Sequence, residues 1–410
     1  MNALEHHVPL LFPVVNNELM VGGMPITRLA ARVGRTPFYV YDRAIIKQRV
    51  KALRQVLPPE VHVHYAIKAN PMPAVVQQFA ALIDGFDVAS AREMRIALDT
   101  PMPASHISFA GPGKQRSELS QAIAAGVVII VESEAELELI IQLGQELALL
   151  PQIMLRVNPP FELKSSRMKM GGGAKPFGID AEQIPTLLAQ LPNDKVAFLG
   201  FHVFAGSQNL NAAEIIESIT QTIALIRQLS RHCTVPIKYI NLGGGFGIPY
   251  FPGDQLLDLK KLGTEFTKQL TQAKTDFPQT MFIVELGRAL IGEAGIYVTQ
   301  VTYLKESHGQ RFLITDGGLH HHLNATGNMG QLVRKNYPLL VANRVVSDNE
   351  PSMTNVVGLL CSPRDILAEN APLGHAQAGD LIAILQSGAY GLTASPLGFL
   401  GHEPPLEVLV

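Results

Sequence analysis

Cysteine is scarce in this chain: there are two in 410 residues, Cys233 and Cys361. That is too few for a disulfide framework and fits a reducing compartment. Neither sign of charge dominates, with 33 Lys and Arg against 35 Asp and Glu and a net charge of −2 at pH 7. The basic footprint of a nucleic-acid binder is therefore missing. No apolar run approaches the roughly 18 residues of a membrane helix. The opening MNALEHHVPLLFPVVNNELM lacks the basic start and apolar core of a signal peptide. No short tandem repeat or low-complexity tract stands out. A soluble, cytoplasmic protein is expected.

What the chain does have is apolar residues, 47% of the total, and length enough for two domains, one of which could be a barrel of about 250 residues. Apolar runs rich in β-branched and aromatic residues recur, each ending on polar residues or glycine and followed by a helical pattern. They are VHVHYAIK, DGFDVAS, HISFAGPGK, VVIIVES, QIMLRVNPP, AFLGFHVFAGS, IKYINLGGG and MFIVELGR. Stretches between them, such as AREMRIALDT and AELELIIQLGQELALL, carry the i, i+3, i+4 apolar spacing of helices. Eight successive strand–helix units favour a closed (β/α)8 TIM barrel over an open sheet, with its chemistry at the C-terminal ends of the strands.

From about Ile296 the pattern turns to alternating strands with turn signals, as in IYVTQVTYLKE, RFLITDGG and DLIAILQSGAY. NELMVGGMPI and TPFYVYD near the start also read as strands that join this β-domain. The expected organisation is N-terminal strands over 1–40, a barrel over 41–290 and a C-terminal β-sandwich or barrel domain over 291–410.

The predicted strand ends are chemically rich. HYAIKANP ends an apolar run on Lys68, although an ammonium is costly to desolvate. NLGGGFGIPY follows the seventh strand, and its consecutive glycines let backbone N–H groups face an anion. It is neither a dinucleotide fingerprint, since the third glycine position falls on Ile248, nor a Walker loop. The loops after strands seven and eight are where barrels commonly hold a phosphate. Glu285 ends strand eight. An amine, a phosphate cradle and a carboxylate at one barrel mouth are what pyridoxal 5'-phosphate requires. A carboxylate facing its ring nitrogen keeps that nitrogen protonated and electron-withdrawing, whereas an arginine there would suit a racemase better.

With HYAIKANP, FDVAS, HVFAGSQ, NLGGGFG, ELGR, CSPRD and SGAYG assembled, the chain resembles the fold-type III pyridoxal-phosphate decarboxylases. This is the family of diaminopimelate, ornithine and arginine decarboxylases, with an alanine-racemase-like barrel. The resemblance spans nearly the whole chain and implies an obligate homodimer with shared active sites. It implies that Lys68 forms an imine with the cofactor and that Glu285 faces the ring nitrogen. Ser207, Gly243, Gly244, Gly245, Gly287 and Arg288 would hold the phosphate, with Tyr390 reaching the phosphate or the cofactor's edge. Asp87, His202 and Phe204 complete the implied cofactor set. Cys361 would return a proton to the α-carbon after carbon dioxide leaves; outside the family match it reads as a small buried hydrophobe.

Departures from the family pattern bear on the substrate. The histidine that stacks on the cofactor is replaced by Phe204, with His202 two residues earlier on the same side of a strand and one layer deeper. Leu286 stands where E-P-G-R has proline, and Ser362 where diaminopimelate decarboxylases usually carry a glutamate for the distal amine. Arg334 and Tyr337 suit a distal carboxylate or amide. Ser362 and Asp365 of CSPRD complete the expected substrate contacts. AGPGK, HVFAGSQNL, DGGLHHHL and SPLGFLGHEPPLE resemble most closely a subgroup associated with exosortase-type gene clusters and with decarboxylation of a glutamyl group on an acyl carrier protein. An amino-acid racemase and a non-catalytic pyridoxal-phosphate-binding homologue remain as alternatives.

His320-His321-His322 invites a metal reading, but no further ligand has suitable spacing, and a polar strand end is expected instead. KSSRMKMGGGAK, Lys164 to Lys175, is read as a lid, a solvated loop or a landing place for an acidic carrier protein.

Overall fold

The computed structural model describes residues 11–162, 168–169, 171–328, 331, 334–346, 352–373 and 376–410. The chain divides into two compact units. One holds the described residues up to Arg49, Pro249–Leu256 and the chain from Leu290 onward; the other holds Val50–Ile248 and Leu257–Ala289.

The chain begins in the first unit. Strands β1 (Val14–Val15), β2 (Glu18–Val21) and β3 (Met24–Pro25) form a small antiparallel sheet of their own. They lie in the same unit as the later β-strands and meet them through backbone bonds from Leu19 N–H to the Ala342 carbonyl at 2.8 Å and from Val345 N–H to the Asn17 carbonyl at 3.0 Å, while β4 (Phe38–Tyr41) enters the larger sheet itself. The first three strands are two to four residues long, and the tight turns between them let the hairpins close on themselves.

The second unit is the barrel. Its strands are β5 (Val61–Ala66), β6 (Gly85–Val88), β7 (Ile107–Phe109), β8 (Val128–Val131) and β9 (Gln152–Asn158). After β10 (Met168–Lys169) and β11 (Ile179–Asp180) come β12 (Ala197–His202), β13 (Gly206–Ser207), β14 (Tyr239–Gly244) and β15 (Met281–Leu286). All eight anticipated strands are present and parallel. The order β9-β12-β14-β15-β5-β6-β7-β8 closes through the pairing of β8 with β9. Two of the strand-to-helix turns are set by a serine that starts the next helix. Ser90 accepts from the Glu93 backbone N–H and Ser133 from that of Glu136, both at 3.2 Å. Glu93 and Glu136 in turn accept from Ala89 and Glu132 N–H at 2.7 Å. Such reciprocal caps satisfy helix-end donors at the turn where the chain reverses.

The barrel interior is divided. Val128, Ile130, Met154 and Leu199 make an apolar cluster. Strands β5, β14 and β15 instead contribute His64, Asn241 and Glu285, all nearly inaccessible. Buried polar groups must be paired, and this side of the interior is where the functional candidates gather.

The remaining strands belong to the first unit. They are β16 (Gly295–Ser307), β17 (Gln310–Thr315), β18 (Leu339–Val341), β19 (Met353–Val357), β20 (Ile366–Pro372), β21 (Leu381–Ile384) and β22 (Leu406–Leu409). The long β16 pairs with β17, β21 and β4, and β4 also pairs with the C-terminal β22. Residues 319–328 are turns, so His320, His321 and His322 do not sit on the strand end anticipated for them, and all three are buried. Gly317-Gly318 breaks the strand before the histidines begin. Among the described residues, no group of three or more His, Cys, Asp or Glu is arranged to hold a metal ion, and no helix is long and apolar enough to cross a membrane.

His322 packs among Tyr39, Tyr297 and Tyr337, with ring centroids 5.5 to 5.7 Å away. Its Nδ1 accepts from the Ala325 N–H at 3.4 Å, leaving Nε2 to donate to Ser387 Oγ at 2.9 Å. Burial lowers its pKa to about 3. The unfolded chain therefore binds a proton below about pH 6.5 that the folded unit refuses, so stability is full above that pH and falls as the pH drops towards 3. From pH 7 to 5 this residue alone should cost about 2 kcal/mol. Denaturant titrations at the two pH values should show a smaller loss in His322→Gln than in the native chain; equal losses would refute the assignment.

Candidate functional site

Lys68 follows β5 in a short 3₁₀ turn over Ile67–Ala69. Its side chain is 47% exposed, and Nζ lies 3.8 Å from Asp87 Oδ2 at the end of β6. The same ammonium stands 5.9 Å from the Phe204 ring centroid. Asp87 is almost inaccessible and its Oδ1 has no hydrogen-bond partner. Burial raises its pKa and the nearby Glu285 adds to this, while Lys68 opposes it.

Glu285 is the best-held group at this end of the barrel. Asn241 Nδ2 donates to its Oε1 at 2.5 Å, and His202 Nε2 meets its Oε2 at 3.1 Å. Burial would raise the pKa, but His202, by charge and hydrogen bond, with Lys68 and His64, holds the carboxyl well below the usual range. The group is an anion, as a partner for a protonated ring nitrogen must be. Phe204 lies two residues beyond the end of β12, so strand alternation does not fix its direction. It is partly exposed towards Lys68 while His202 is 2% exposed beneath.

The glycine run sits where only glycine fits. A Cβ on Gly244 would lie 1.9 Å from the Glu285 carbonyl oxygen, and one on Gly245 would lie 2.1 Å from that of Gly206. Gly245 also has a φ of +79°. The loop is thus pressed against the chain carrying Ser207 on one side and Glu285 on the other. Ser207 pairs through the β13 backbone with β10. Gly287 and Arg288 follow β15 directly, with Gly287 facing Ala69 and Ala66.

These residues fit pyridoxal phosphate: an amine, an aromatic face, a buried carboxylate, an unpaired aspartate oxygen and a glycine cradle lie around the C-terminal ends of five neighbouring strands, β12, β14, β15, β5 and β6. The comparisons agree. Residues 43–292 match the family described as "Pyridoxal-dependent decarboxylase, pyridoxal binding domain". The chain belongs to the pyridoxal-dependent decarboxylases. Among relatives of this decarboxylase is the L-glutamyl-[BtrI acyl-carrier protein] decarboxylase of Niallia circulans, 38% identical over 94% of this chain and 90% of the relative. The diaminopimelate decarboxylase of Aquifex aeolicus is 30% identical over 93% and 88% of the two chains. The crystal structure of the M. jannaschii diaminopimelate decarboxylase superposes with a TM-score of 0.87 at 26% identity, covering 97% of this chain and 92% of that one. The cofactor is pyridoxal 5'-phosphate, and the enzyme is a carboxy-lyase acting on an amino acid.

The other anticipated residues lie in the β-strand unit of the decarboxylase. Cys361 is exposed in the loop after β19. Asp365 is buried and shapes that loop. It accepts from Leu360 N–H at 2.8 Å and Leu319 N–H at 2.5 Å, and a Cβ on Gly318 or Gly358 would stand within 2.3 Å of its carboxylate. Both oxygens of Asp365 thus serve the backbone. Ser362 Oγ accepts from the Arg364 N–H at 3.3 Å. Arg334 donates to the Thr326 carbonyl and stands 3.8 Å from Glu369. Tyr337 is 5% exposed and packs on Tyr250, with ring centroids 4.7 Å apart. Tyr390 adopts φ +53°, and its carbonyl accepts from Asn324 Nδ2 at 2.6 Å. Of the basic stretch Lys164 to Lys175, residues 164–167 and 170 lie outside the described residues.

Sequence reasoning placed Gly111 to Lys114 and Glu132 at strand ends but missed Asn241, Arg156 and the ion pairs that join them. Arg156 Nη1 meets Glu132 Oε1 at 2.8 Å, and Glu132 also accepts from the Gly111 and Gly178 N–H groups. Lys114, 1% exposed, bonds the Gly111 and Ile130 carbonyls and pairs with Glu136 at 2.8 Å. The signal for Asn241 was a polar residue inside the apolar run that leads to the glycines.

Gly244→Ala must displace the backbone carrying Glu285. It should lower stability by roughly 2–4 kcal/mol and weaken cofactor retention. Gly113→Ala, where a Cβ meets nothing within 4 Å, should leave both unchanged. Denaturant unfolding and cofactor absorbance after dialysis check this contrast.

Proposed function

We propose that this decarboxylase removes the α-carboxylate of a glutamyl group carried on an acyl carrier protein. The observation that carries this reading is the loop after Cys361. Where a carboxylate would be needed to hold a distal ammonium, Ser362 offers a hydroxyl already accepting from its own loop, and Arg334 and Tyr337 favour a carboxylate or amide. The 38% identity to a relative named for such a substrate supports it.

In the proposed site, Lys68 would hold the cofactor through its aldehyde. Ser207, Gly243, Gly244, Gly245, Gly287 and Arg288 would hold the phosphate, Asp87 and Phe204 would orient the ring, and Tyr390 is a further proposed cofactor contact. When bound, pyridoxal phosphate supplies the electron sink that makes loss of carbon dioxide feasible. Glu285, held by Asn241 and His202, keeps a proton on the nitrogen it faces. Cys361 donates the Sγ proton to the substrate's α-carbon, and Asp365 braces its loop. We further propose a cytoplasmic homodimer, with Cys361 offered across the interface to the other protomer's site. A racemase would place an arginine rather than Glu285 at the ring nitrogen.

Carbon dioxide release from the cofactor-loaded enzyme tests the reading, with Lys68→Ala as blank. Release is expected from a glutamyl carrier-protein thioester and not from free diaminopimelate, ornithine, lysine, arginine or glutamate. Efficient release from a free diamino acid would overturn it. Glu285→Ala should lower kcat by roughly 10²-fold or more while retaining most bound cofactor; equal losses would contradict the assigned role.

A further inference from the structure

Ser362-Pro363-Arg364-Asp365 has the composition of a β-turn, with serine in the first position and proline in the second. The turn is closed by a bond from the Asp365 N–H to the Ser362 carbonyl at 3.1 Å. Ser362 Oγ tightens it by accepting from the Arg364 N–H at 3.3 Å. The Arg364 carbonyl accepts from Asn328 Nδ2 at 3.2 Å, and the Asp365 carboxylate is taken up by the Leu319 and Leu360 N–H groups. The turn thus consumes its own serine and aspartate. What it offers to solvent are the Cys361 thiol before it and the Arg364 guanidinium at its tip, both exposed. Among the described residues, that guanidinium takes no hydrogen-bond or ion-pair partner.

A second guanidinium is tied to the same turn. Arg334 Nη2 donates to the Thr326 carbonyl, while Asn328 Nδ2 bonds Thr326 Oγ1 at 2.8 Å as well as the Arg364 carbonyl. One side-chain amide therefore joins the segment that anchors Arg334 to the turn that carries Arg364. Arg334 is 20% exposed, and its buried Nη1 has no hydrogen-bond partner; Glu369, half-exposed, stands 3.8 Å away. A sheltered cation with an unmet donor and an outer cation at a turn tip suit a ligand that brings one acceptor first and another farther along. They do not suit the distal ammonium of a free diamino acid, which two like charges repel. An exposed arginine on a loose loop contributes little to binding. Here the N–H and the carbonyl of Arg364 are both held, so its planar fork is better placed for paired acceptor oxygens.

We propose that Arg364 is a specificity-determining residue that binds the phosphate of the substrate's phosphopantetheine arm. This rests on the carrier-protein reading above and names the part of the carrier that the Cys361 loop reads. A carrier protein holds its acyl group as a thioester on such an arm, which has amide carbonyls near the sulfur and a phosphodiester at its far end. The phosphodiester is an anion throughout the neutral range, and its two free oxygens match the parallel N–H groups of a guanidinium. Three residues separate Cys361 from Arg364, at most about 10 Å of backbone, and the arginine side chain reaches on from there. The contact falls along the arm and away from the reacting carbon. Arg364 therefore acts on binding, and the chemical step does not depend on it.

The test uses the cofactor-loaded enzyme and two truncated substrates, the glutamyl thioesters of pantetheine and of phosphopantetheine, which differ only in the phosphate. In the native enzyme the phosphate should raise kcat/KM about fivefold, through KM, and by less in high salt. Arg364→Gln should erase that preference and leave kcat on the pantetheine thioester unchanged, and Arg364→Lys should restore part of it. A native enzyme indifferent to the phosphate, a preference that survives in Arg364→Gln, or an equal loss on both thioesters overturns the assignment. Calorimetry with S-methyl phosphopantetheine and S-methyl pantetheine reads the same contact without turnover. The phosphate should tighten binding about fivefold in the native enzyme and not in Arg364→Gln. Failure of the carrier reading shows separately, as carbon dioxide released from a free diamino acid and from neither thioester; the calorimetric contrast then decides Arg364 by itself.

Discussion

A carboxylate kept ionised inside a barrel is the constraint that organises this site. An isolated charge there would cost several kcal/mol or simply take up a proton. Glu285 does neither because both oxygens are engaged, one by Asn241 and the other by His202. Those two partners must stand on neighbouring strands at matching height, and register places His202 opposite Asn241 on β12 and β14. The glycines follow from the same arrangement. Strand β14 can approach Glu285 closely enough for Asn241 to reach it only if Gly244 has no side chain in the way. The loop that would cradle a phosphate and the strand that holds the carboxylate are therefore one packing solution.

Asp87 completes the electrostatic balance. Its buried carboxylate lies in the field of Glu285, which disfavours its charge, and close to Lys68, which favours it. Burial and the Glu285 charge favour the protonated form of Asp87, so Glu285 is the buried anion here and Lys68 the exposed ammonium. A cationic ring nitrogen is a natural counterweight, and the unpaired Oδ1 of Asp87 is consistent with a site that completes itself on binding its cofactor. In the other unit the same logic works through geometry. Asp365 sits between Gly318 and Gly358 and fixes the Cys361 loop by accepting backbone N–H groups.

The eight barrel strands were legible because parallel strands buried on both faces read as continuous apolar runs, and polar residues or glycine marked where each ended. Lys68 and Glu285 were legible as charges at the exits of such runs. His64 was not, because it sat inside a run and read as part of it; its inward direction depends on register that one strand cannot reveal. Asn241 was hidden for the same reason. Arg156 and Glu132 come together only when β8 and β9 close the barrel, a contact no local pattern encodes. The three histidines misled because alternation was assumed where Gly317-Gly318 had already ended the strand. Asp365 looked like a substrate contact because it neighbours Cys361 in sequence, yet its backbone duties depend on loops 40 residues apart.

Phe204 makes the final step of this reasoning. Where relatives are expected to stack an imidazole on the cofactor, this chain offers a phenyl ring, which carries no exchangeable proton. The ring lies below the Lys68 ammonium, so it still supplies a flat, polarisable face. What it cannot supply is a charge that responds to the reaction. In the proposed site, control of the cofactor's protonation would then fall to Glu285. That carboxylate is where the chain concentrates its polar groups, with His202 and Asn241 bonded to it. The exposed phenyl ring beside Lys68 and the buried carboxylate held by His202 and Asn241 are thus two parts of one arrangement, in which the ionised group inside this end of the barrel is Glu285.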